Sequence, residues 1–171
     1  LLGNFITMEM ALAEIGLRAK LEFQFGYREL ADNLEQANRH LVNFLFFMRG
    51  YADQIVQDFK CLRLEPAFGA VAKNALTQVF ERSSDYRFMC GLRNHVQHKA
   101  AAVHGFEGDD EIKGDANSWV ESVRFTALKS QLRSDKSFNA KILSEQPEKI
   151  DVRRCARRSI EELGVAHLAL R

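Results

Sequence analysis

The residues best suited to chemistry lie close together at positions 92–99, which read Leu-Arg-Asn-His-Val-Gln-His-Lys. About two helical turns there carry an arginine, two side-chain amides and two histidines. Histidine gains and loses a proton near neutral pH, and arginine holds a phosphate through two parallel hydrogen bonds. These side chains suit cleavage of an RNA phosphodiester, in which a ribose 2′-hydroxyl loses a proton and negative charge builds on the phosphate.

The spacing of these residues limits how one helix can use them. Asn94 and His98 are four residues apart and share a helix face, whereas Arg93 and His98 are five apart and diverge by about 140°. They can converge if the helix bends or ends there, or if a second copy of the chain brings its own motif into a shared cleft. A dimeric site is therefore compatible with the spacing.

The composition is that of one globular domain spanning residues 1–171, with 46% apolar and 27% charged residues. The formal net charge of +1 means that binding of RNA has to rest on a local basic patch. Three widely spaced cysteines predict reduced thiols in the core of a cytoplasmic protein. The longest apolar run, at 41–48, is too short to span a bilayer, and no signal-peptide pattern is visible, so we expect no membrane association.

The elements that must position the motif read as an all-α, antiparallel bundle of long helices. Only two prolines occur, and apolar residues recur every three or four positions. The pattern predicts helices at 5–31, at 33–62 after a capping box at 32–35, and at 67–81 after Pro66. A cluster of N-cap residues at 83–85 begins the motif helix, and Gly105 caps its segment. The bundle core would cover about residues 5–105.

The second of these helices has more apolar surface than one partner helix can cover. Leu45, Phe46 and Phe47 lie beside its main stripe and require further helices or a second subunit. In the third helix, Val71 and Phe80 are among the positions expected to face inward.

The chain after Gly105 reads as a polar loop at 106–118, followed by a C-terminal helical part at 130–171. Alternation of side chains at 119–128 is compatible with one short extended segment. A short helix is predicted at 137–146, and Asp151 is expected to cap the final helix.

Residues 93–98, Arg-Asn-His-Val-Gln-His, resemble the Arg-(Asn/Asp/His)-x-x-x-His motif of the HEPN superfamily. The position of the motif, late in a helix that follows long antiparallel helices, is similar as well, and the likeness extends over about residues 5–105. The resemblance implies an all-α bundle that dimerises through its motif helices. It also implies a metal-independent endoribonuclease without a cofactor, in which Arg93 and His98 are catalytic and Asn94 supports them.

The same resemblance suggests a toxin–antitoxin or phage-defence (abortive-infection) role. The partners it implies are RNA, a second copy of the chain, and a cognate antitoxin or nucleotidyltransferase.

Four basic residues are predicted to form a phosphate-binding rim if the last helix lies beside the motif. They are Lys99, Arg87, Arg153 and Arg157. The alternative for the arginines of the last helix is an ordinary solvated face.

Two other functions remain open. The chain can be a catalytically silent helical module for protein interaction, with Arg93 and His98 in a buried polar network. Alternatively, His95, His98 and His104 can bind a metal ion in a hydrolase. The metal-independent ribonuclease, in contrast to both, requires Arg93 and His98 to be accessible in a cleft.

Overall fold

The computed structural model describes residues 1–21, 27–62, 66–98, 101–112, 119–135 and 138–170. Within these ranges the chain is mostly helical, with a small antiparallel sheet of three strands. The helices are α1 (Leu2–Leu21), α2 (Tyr27–Leu62), α3 (Pro66–Arg82), α4 (Ser84–His98), α5 (Lys129–Arg133), α6 (Ala140–Ser144) and α7 (Val152–Ala169). The strands are β1 (Gly105–Ile112), β2 (Trp119–Leu128) and β3 (Lys149–Asp151).

Helix α2 is the axis of the fold. Its 36 residues span about 54 Å, and it packs against α1, α3 and α4. The predicted stripe is buried, with Leu41 and Phe44 fully inaccessible and Met48 only 1% exposed. Removing these side chains from water supplies roughly 1.5–3 kcal/mol each.

The start of α2 differs from the sequence-based expectation. The predicted helix at 5–31 ends at Leu21 among the described residues, and residues 27–31 belong to α2 instead. The predicted capping box at 32–35 was therefore wrong, since it lies inside α2 with Asn33 buried. Residues 27–31, Tyr-Arg-Glu-Leu-Ala, contain strong helix formers, and these extend the helix past the polar residues that resembled a cap.

Helix α3 has the predicted extent but not the predicted orientation. Ala72 and Val79 are buried, whereas Val71 is 52% and Phe80 39% exposed. The expectation that Val71 and Phe80 face the core was wrong, because α3 packs on its neighbours through a narrow stripe of small side chains.

The sheet lies beyond the bundle. Strand β2 pairs with β1 from Gly105↔Thr126 to Ile112↔Trp119, and with β3 on its other side. The predicted extended segment at 119–128 is confirmed. The expected loop at 106–118 was wrong for residues 106–112, and Gly105 begins a strand rather than capping a helix. Glu107 of β1 is exposed to water, as the position of β1 at the edge of the described sheet allows.

Asn38 of α2 holds the segment that follows the motif helix. Its side-chain oxygen accepts hydrogen bonds from the backbone N–H groups of Ala102 (2.7 Å) and Val103 (2.8 Å). Its side-chain nitrogen donates to the Val103 carbonyl at 2.9 Å. One amide thus satisfies three backbone groups of residues 102 and 103, besides donating to the Leu34 carbonyl of its own helix at 2.9 Å, and connects α2 to the chain just before β1.

His104 then joins that segment to β2. Its backbone N–H donates to the Thr126 carbonyl (2.8 Å), and its ring Nδ1 accepts from the Leu128 N–H (3.1 Å). Burial lowers the pKa of His104, and nearby His95 lowers it further. An Nδ1 that accepts a hydrogen bond has no proton, so this geometry requires the neutral ring.

The protein is therefore expected to lose stability as the pH falls below about 6.5, the ordinary pKa of histidine. The lowered pKa means that the unfolded chain binds the proton more tightly. His104→Asn should reduce this loss, because the asparagine oxygen can accept the same bond without titrating. Urea unfolding of both proteins at pH 7, 6 and 5 measures the effect, and an identical pH dependence in the two would contradict it.

The C-terminal helices largely follow the prediction. Asp151 caps α7 by accepting a hydrogen bond from the Arg154 N–H at 3.0 Å, and α6 lies within the predicted helix at 137–146. Helix α5 was not anticipated. Cys155 is buried as predicted for a core thiol, whereas Cys61 is exposed. Within the described ranges, no helix combines the length and apolar character that crossing a membrane requires.

Candidate active site

Helix α4 presents the motif on its last two turns. Ser83 caps the helix as predicted, because its Oγ accepts a hydrogen bond from the Tyr86 N–H at 3.2 Å. The inner face is core, with Phe88, Met89 and Leu92 fully buried. That packing fixes the rotation of the helix and therefore decides which motif side chains reach solvent.

Arg93 and Asn94 line an open cleft of about 430 Å³ between α4 and α2. Among the described residues, Met48, Arg49, Asp53 and Cys90 also line it. Asn94 is exposed and Arg93 is partly exposed, so both can contact a molecule in the cleft. The arrangement places a guanidinium and an amide together on one wall.

The Arg93 side chain is held in place by its neighbours. Its Nη1 donates to the side-chain oxygens of Asn94 (3.3 Å) and Gln97, and its guanidinium lies 5.1 Å from the centre of the Phe46 ring. Its buried Nε has no hydrogen-bond partner among the described residues. A guanidinium fixed by stacking and two amides retains donors for an anion and loses little side-chain freedom on binding one.

His98 is exposed on the last turn of α4. The helix continues to His98, so Arg93 and His98 keep the angular separation expected from their spacing. Within one chain, the cleft therefore contains Arg93 and Asn94, while His98 faces solvent beside it.

His95 lies on the opposite side of the helix from the cleft. It is 4% exposed, and its Nδ1 forms a 2.8 Å hydrogen bond with Oδ2 of Asp135, also 4% exposed. Its Nε2 has no partner among the described residues. Nothing in the sequence pairs these residues, which are 40 positions apart. The pair joins the last turns of α4 to the segment after α5.

Gly91 lets the same segment pack against α4. A Cβ at this position would lie 2.9 Å from the Phe138 ring, which stacks near Phe88 and His95 at centroid distances of 6.0 and 6.2 Å. Such a separation is too short for a carbon contact. Gly91 therefore serves close packing behind the motif.

Gly91→Ala is accordingly expected to destabilise the protein by about 1–3 kcal/mol, the usual range for overpacking a core. The gain in helix propensity offsets only up to about 1 kcal/mol of this. Urea unfolding measures the change. Gly50→Ala is the matched control, since nothing lies within 4 Å of a Cβ there, and it should not destabilise. Equal stability of the two variants would refute the packing argument.

Arg87, one of the predicted rim residues, lies at a different cleft. Its Nη2 pairs with Glu145 at 2.6 Å, and its Nη1 donates to the carbonyls of Phe80 (2.8 Å) and Glu81. It lines a cavity of about 350 Å³ that the motif does not reach. These contacts connect the end of α3 to α6, and the guanidinium's charge is largely neutralised there.

Arg153 and Arg157 both contact Glu9 of α1, at 2.9 and 2.5 Å. Burial alone would raise the pKa of Glu9, but hydrogen bonds from Arg157 and Arg153 bring it below its usual value. The two arginines thus hold α7 against α1 and do not line the motif cleft. The fourth predicted rim residue, Lys99, lies outside the described residues.

A second cleft of about 660 Å³ continues from the first between α2, α3 and α4. The two share Arg49, Asp53, Cys90 and Asn94 as lining residues. Burial raises the pKa of Cys90 to about 11 and raises that of Tyr86 as well, so these two side chains of α4 stay uncharged at neutral pH. The basic residues Lys60 and Lys73 also line this cleft, and the sequence offered no signal for them because they lie on different helices far from the motif.

The described residues include no group of three or more histidine, cysteine or acidic side chains placed to hold a metal ion. Comparison of the chain with protein-family models, with curated proteins and with solved structures found no match.

Proposed function

We propose that this chain is a metal-independent endoribonuclease of the HEPN type. The observation that supports it best is the position of the motif. Arg93 and Asn94 line an open cleft, and His98 is exposed at the end of the same helix. These positions meet the requirement for accessible catalytic side chains, which a buried structural network would not.

In the proposed reaction, His98 takes the proton from a ribose 2′-hydroxyl, and that oxygen attacks the adjacent phosphorus. The bond from phosphorus to the 5′-oxygen breaks, the 5′-oxygen gains a proton, and a 2′,3′-cyclic phosphate remains. Arg93 donates to the phosphate oxygens as their charge increases, and Asn94 orients Arg93 through the 3.3 Å hydrogen bond. No step requires a metal ion.

The divergence of Arg93 and His98 favours a homodimer as the active form. A second copy of the chain would bring its own Arg93 and His98 to a shared cleft, so that one histidine accepts a proton while the other donates one. Phe46 and Phe47 of α2 are 41% and 52% exposed, and Phe46 touches Arg93. Apolar side chains at this position suit an interface next to the motif.

The biological setting that we propose is a toxin–antitoxin or phage-defence system, because the proposed activity would damage the cell's own RNA if it were not controlled. An antitoxin or a nucleotidyltransferase is the partner class expected to provide that control.

Incubation of purified protein with labelled RNA in EDTA tests the function. We expect cleavage that leaves 2′,3′-cyclic phosphate ends, which polynucleotide kinase lacking phosphatase activity cannot remove. Activity that disappears in EDTA and returns with a divalent cation would instead indicate a metal-dependent hydrolase.

A silent interaction module is the second candidate. The outer face of α1 is unusually apolar for a surface helix, with Leu2, Ile6, Met10 and Leu17 between 48% and 69% exposed. Absence of cleavage of any RNA tested, by a folded dimeric protein, would favour this candidate.

A further inference from the structure

We infer that the cleft between α2 and α3 is the track along which single-stranded RNA reaches the motif, with Lys60 and Lys73 binding its phosphates. This inference rests on the proposed nuclease function and identifies how its substrate is held. Arg87, Arg153 and Arg157, which the sequence predicted to bind RNA, do not line this cleft, and Lys99 lies outside the described residues.

The first support is continuity. Asn94 lines both clefts, so a chain bound along α2 and α3 would pass directly to the Arg93 guanidinium. This second cleft has a volume of about 660 Å³ and is open to solvent. An open trough suits a polymer that extends beyond the site at both ends, whereas a small metabolite is usually enclosed.

The second support is charge. Lys60 is near the end of α2 and Lys73 is on α3, so two helices each contribute a lysine to the lining of one cleft. Neither has a carboxylate partner among the described residues. Arg49 contributes a third cation but pairs with Asp53 at 2.9 Å, within the same cleft. The walls therefore carry a positive excess that phosphates can neutralise.

The side chain of Lys60 packs against α3. A Cβ at Gly69 would overlap Cγ of Lys60, so the aliphatic stem of the lysine rests directly against α3. This contact limits the rotamers of the stem and leaves the ammonium at the exposed end.

The third support is an exposed aromatic side chain in the same cleft. Phe80 is 39% exposed, lines the cleft, and is braced edge-on by Tyr86 at a centroid distance of 6.4 Å. An exposed ring that is held in place can stack with a base of any sequence. Cations for phosphates together with a ring for bases favour single-stranded RNA over an acidic peptide, in which a flat group does not accompany each negative charge.

Fluorescence anisotropy with a labelled single-stranded RNA of 12 nucleotides tests the track. All proteins carry His98→Ala, so that the RNA remains intact. We expect Lys60→Gln/Lys73→Gln to bind at least about fivefold more weakly. Its affinity should also depend less on salt, with a slope of log K against log salt smaller by about 1.4, since each lost phosphate contact removes roughly 0.7.

Lys141→Gln is the control for charge, because it removes one exposed lysine that does not line the track; it lines the neighbouring cleft containing Arg87, which shares Phe80 with the track. It should leave affinity and salt slope near the parent values. Phe80→Leu should weaken binding about fivefold or more without changing the slope, since it removes stacking but no charge.

The inference is overturned if the double lysine variant binds RNA like Lys141→Gln. It is equally overturned if polyglutamate displaces the RNA as well as unlabelled RNA does at equal charge, which would identify a surface for acidic chains. If the protein with native His98 cleaves RNA, and the lysine variants bind and cleave RNA equally well, the track is refuted but the proposed nuclease function is not. If binding depends on the lysines but no RNA is cleaved, the proposed nuclease function is refuted and the RNA-binding cleft is not.

Discussion

His98→Ala is expected to slow RNA cleavage by about 100-fold or more while leaving the protein folded. General acid–base catalysis by one histidine typically contributes 10²–10⁴-fold. Because His98 is exposed at the end of α4, its removal leaves no cavity. The initial rate of cleavage in EDTA, measured beside a thermal unfolding curve, gives both values.

Replacement of Arg93 distinguishes its charge from its geometry. Arg93→Ala should lose activity to a similar degree, and Arg93→Lys should recover only a small part of it. Lysine keeps the charge but lacks the planar fork that binds a phosphate bidentately and stacks on Phe46. Full activity of the lysine variant would mean that charge alone suffices.

His40→Ala provides the control for both substitutions, since His40 is a histidine of α2 that does not line the motif cleft. It should cleave at the parent rate. Cleavage that survives in both His98→Ala and Arg93→Ala would point to another site or a contaminating nuclease, and the proposed function would fall.

His95→Ala is expected to lower the free energy of unfolding by about 3–5 kcal/mol, the range for breaking a buried ionisable pair. Asp135 stays buried after the change but loses the 2.8 Å hydrogen bond from His95. The space next to Phe138 is left unfilled as well. Urea unfolding at pH 7 measures the loss, and His98→Ala, on the same helix but exposed, should lose less than about 0.5 kcal/mol.

A double-mutant cycle isolates the pair itself. We expect His95→Ala/Asp135→Ala to be less destabilised than the sum of the two single variants, by about 0.5–3 kcal/mol. Strict additivity would show that each residue acts through packing alone. Because the pair anchors the turns that carry Arg93 and Asn94, folded His95→Ala should also cleave RNA more slowly.

The sequence by itself determined the parts of this protein that depend on neighbouring residues. The apolar period of α2 predicted its buried stripe, and the caps at Ser83 and Asp151 predicted where α4 and α7 begin. The position of Arg93 and His98 late in a helix was also predictable. Helix periodicity and capping are interactions over three or four positions, which the order of residues specifies directly.

The same local reasoning failed where a local pattern had two interpretations. The polar residues at 32–35 resemble an N-cap, yet they lie inside α2. Residues 106–112 look like a loop until β2 supplies their backbone partners, because a polar edge strand has no apolar alternation to reveal it.

Only the tertiary structure decided which distant side chains meet. It placed His95 against Asp135, used Arg153 and Arg157 to hold Glu9, and brought Lys60 and Lys73 to the cleft that reaches Asn94. These contacts join residues 13 to 148 positions apart, and their partners are chosen by how whole helices pack. The sequence of one helix shows which side chains are suited to catalysis. The packing of several helices decides which of those side chains remain accessible to a substrate.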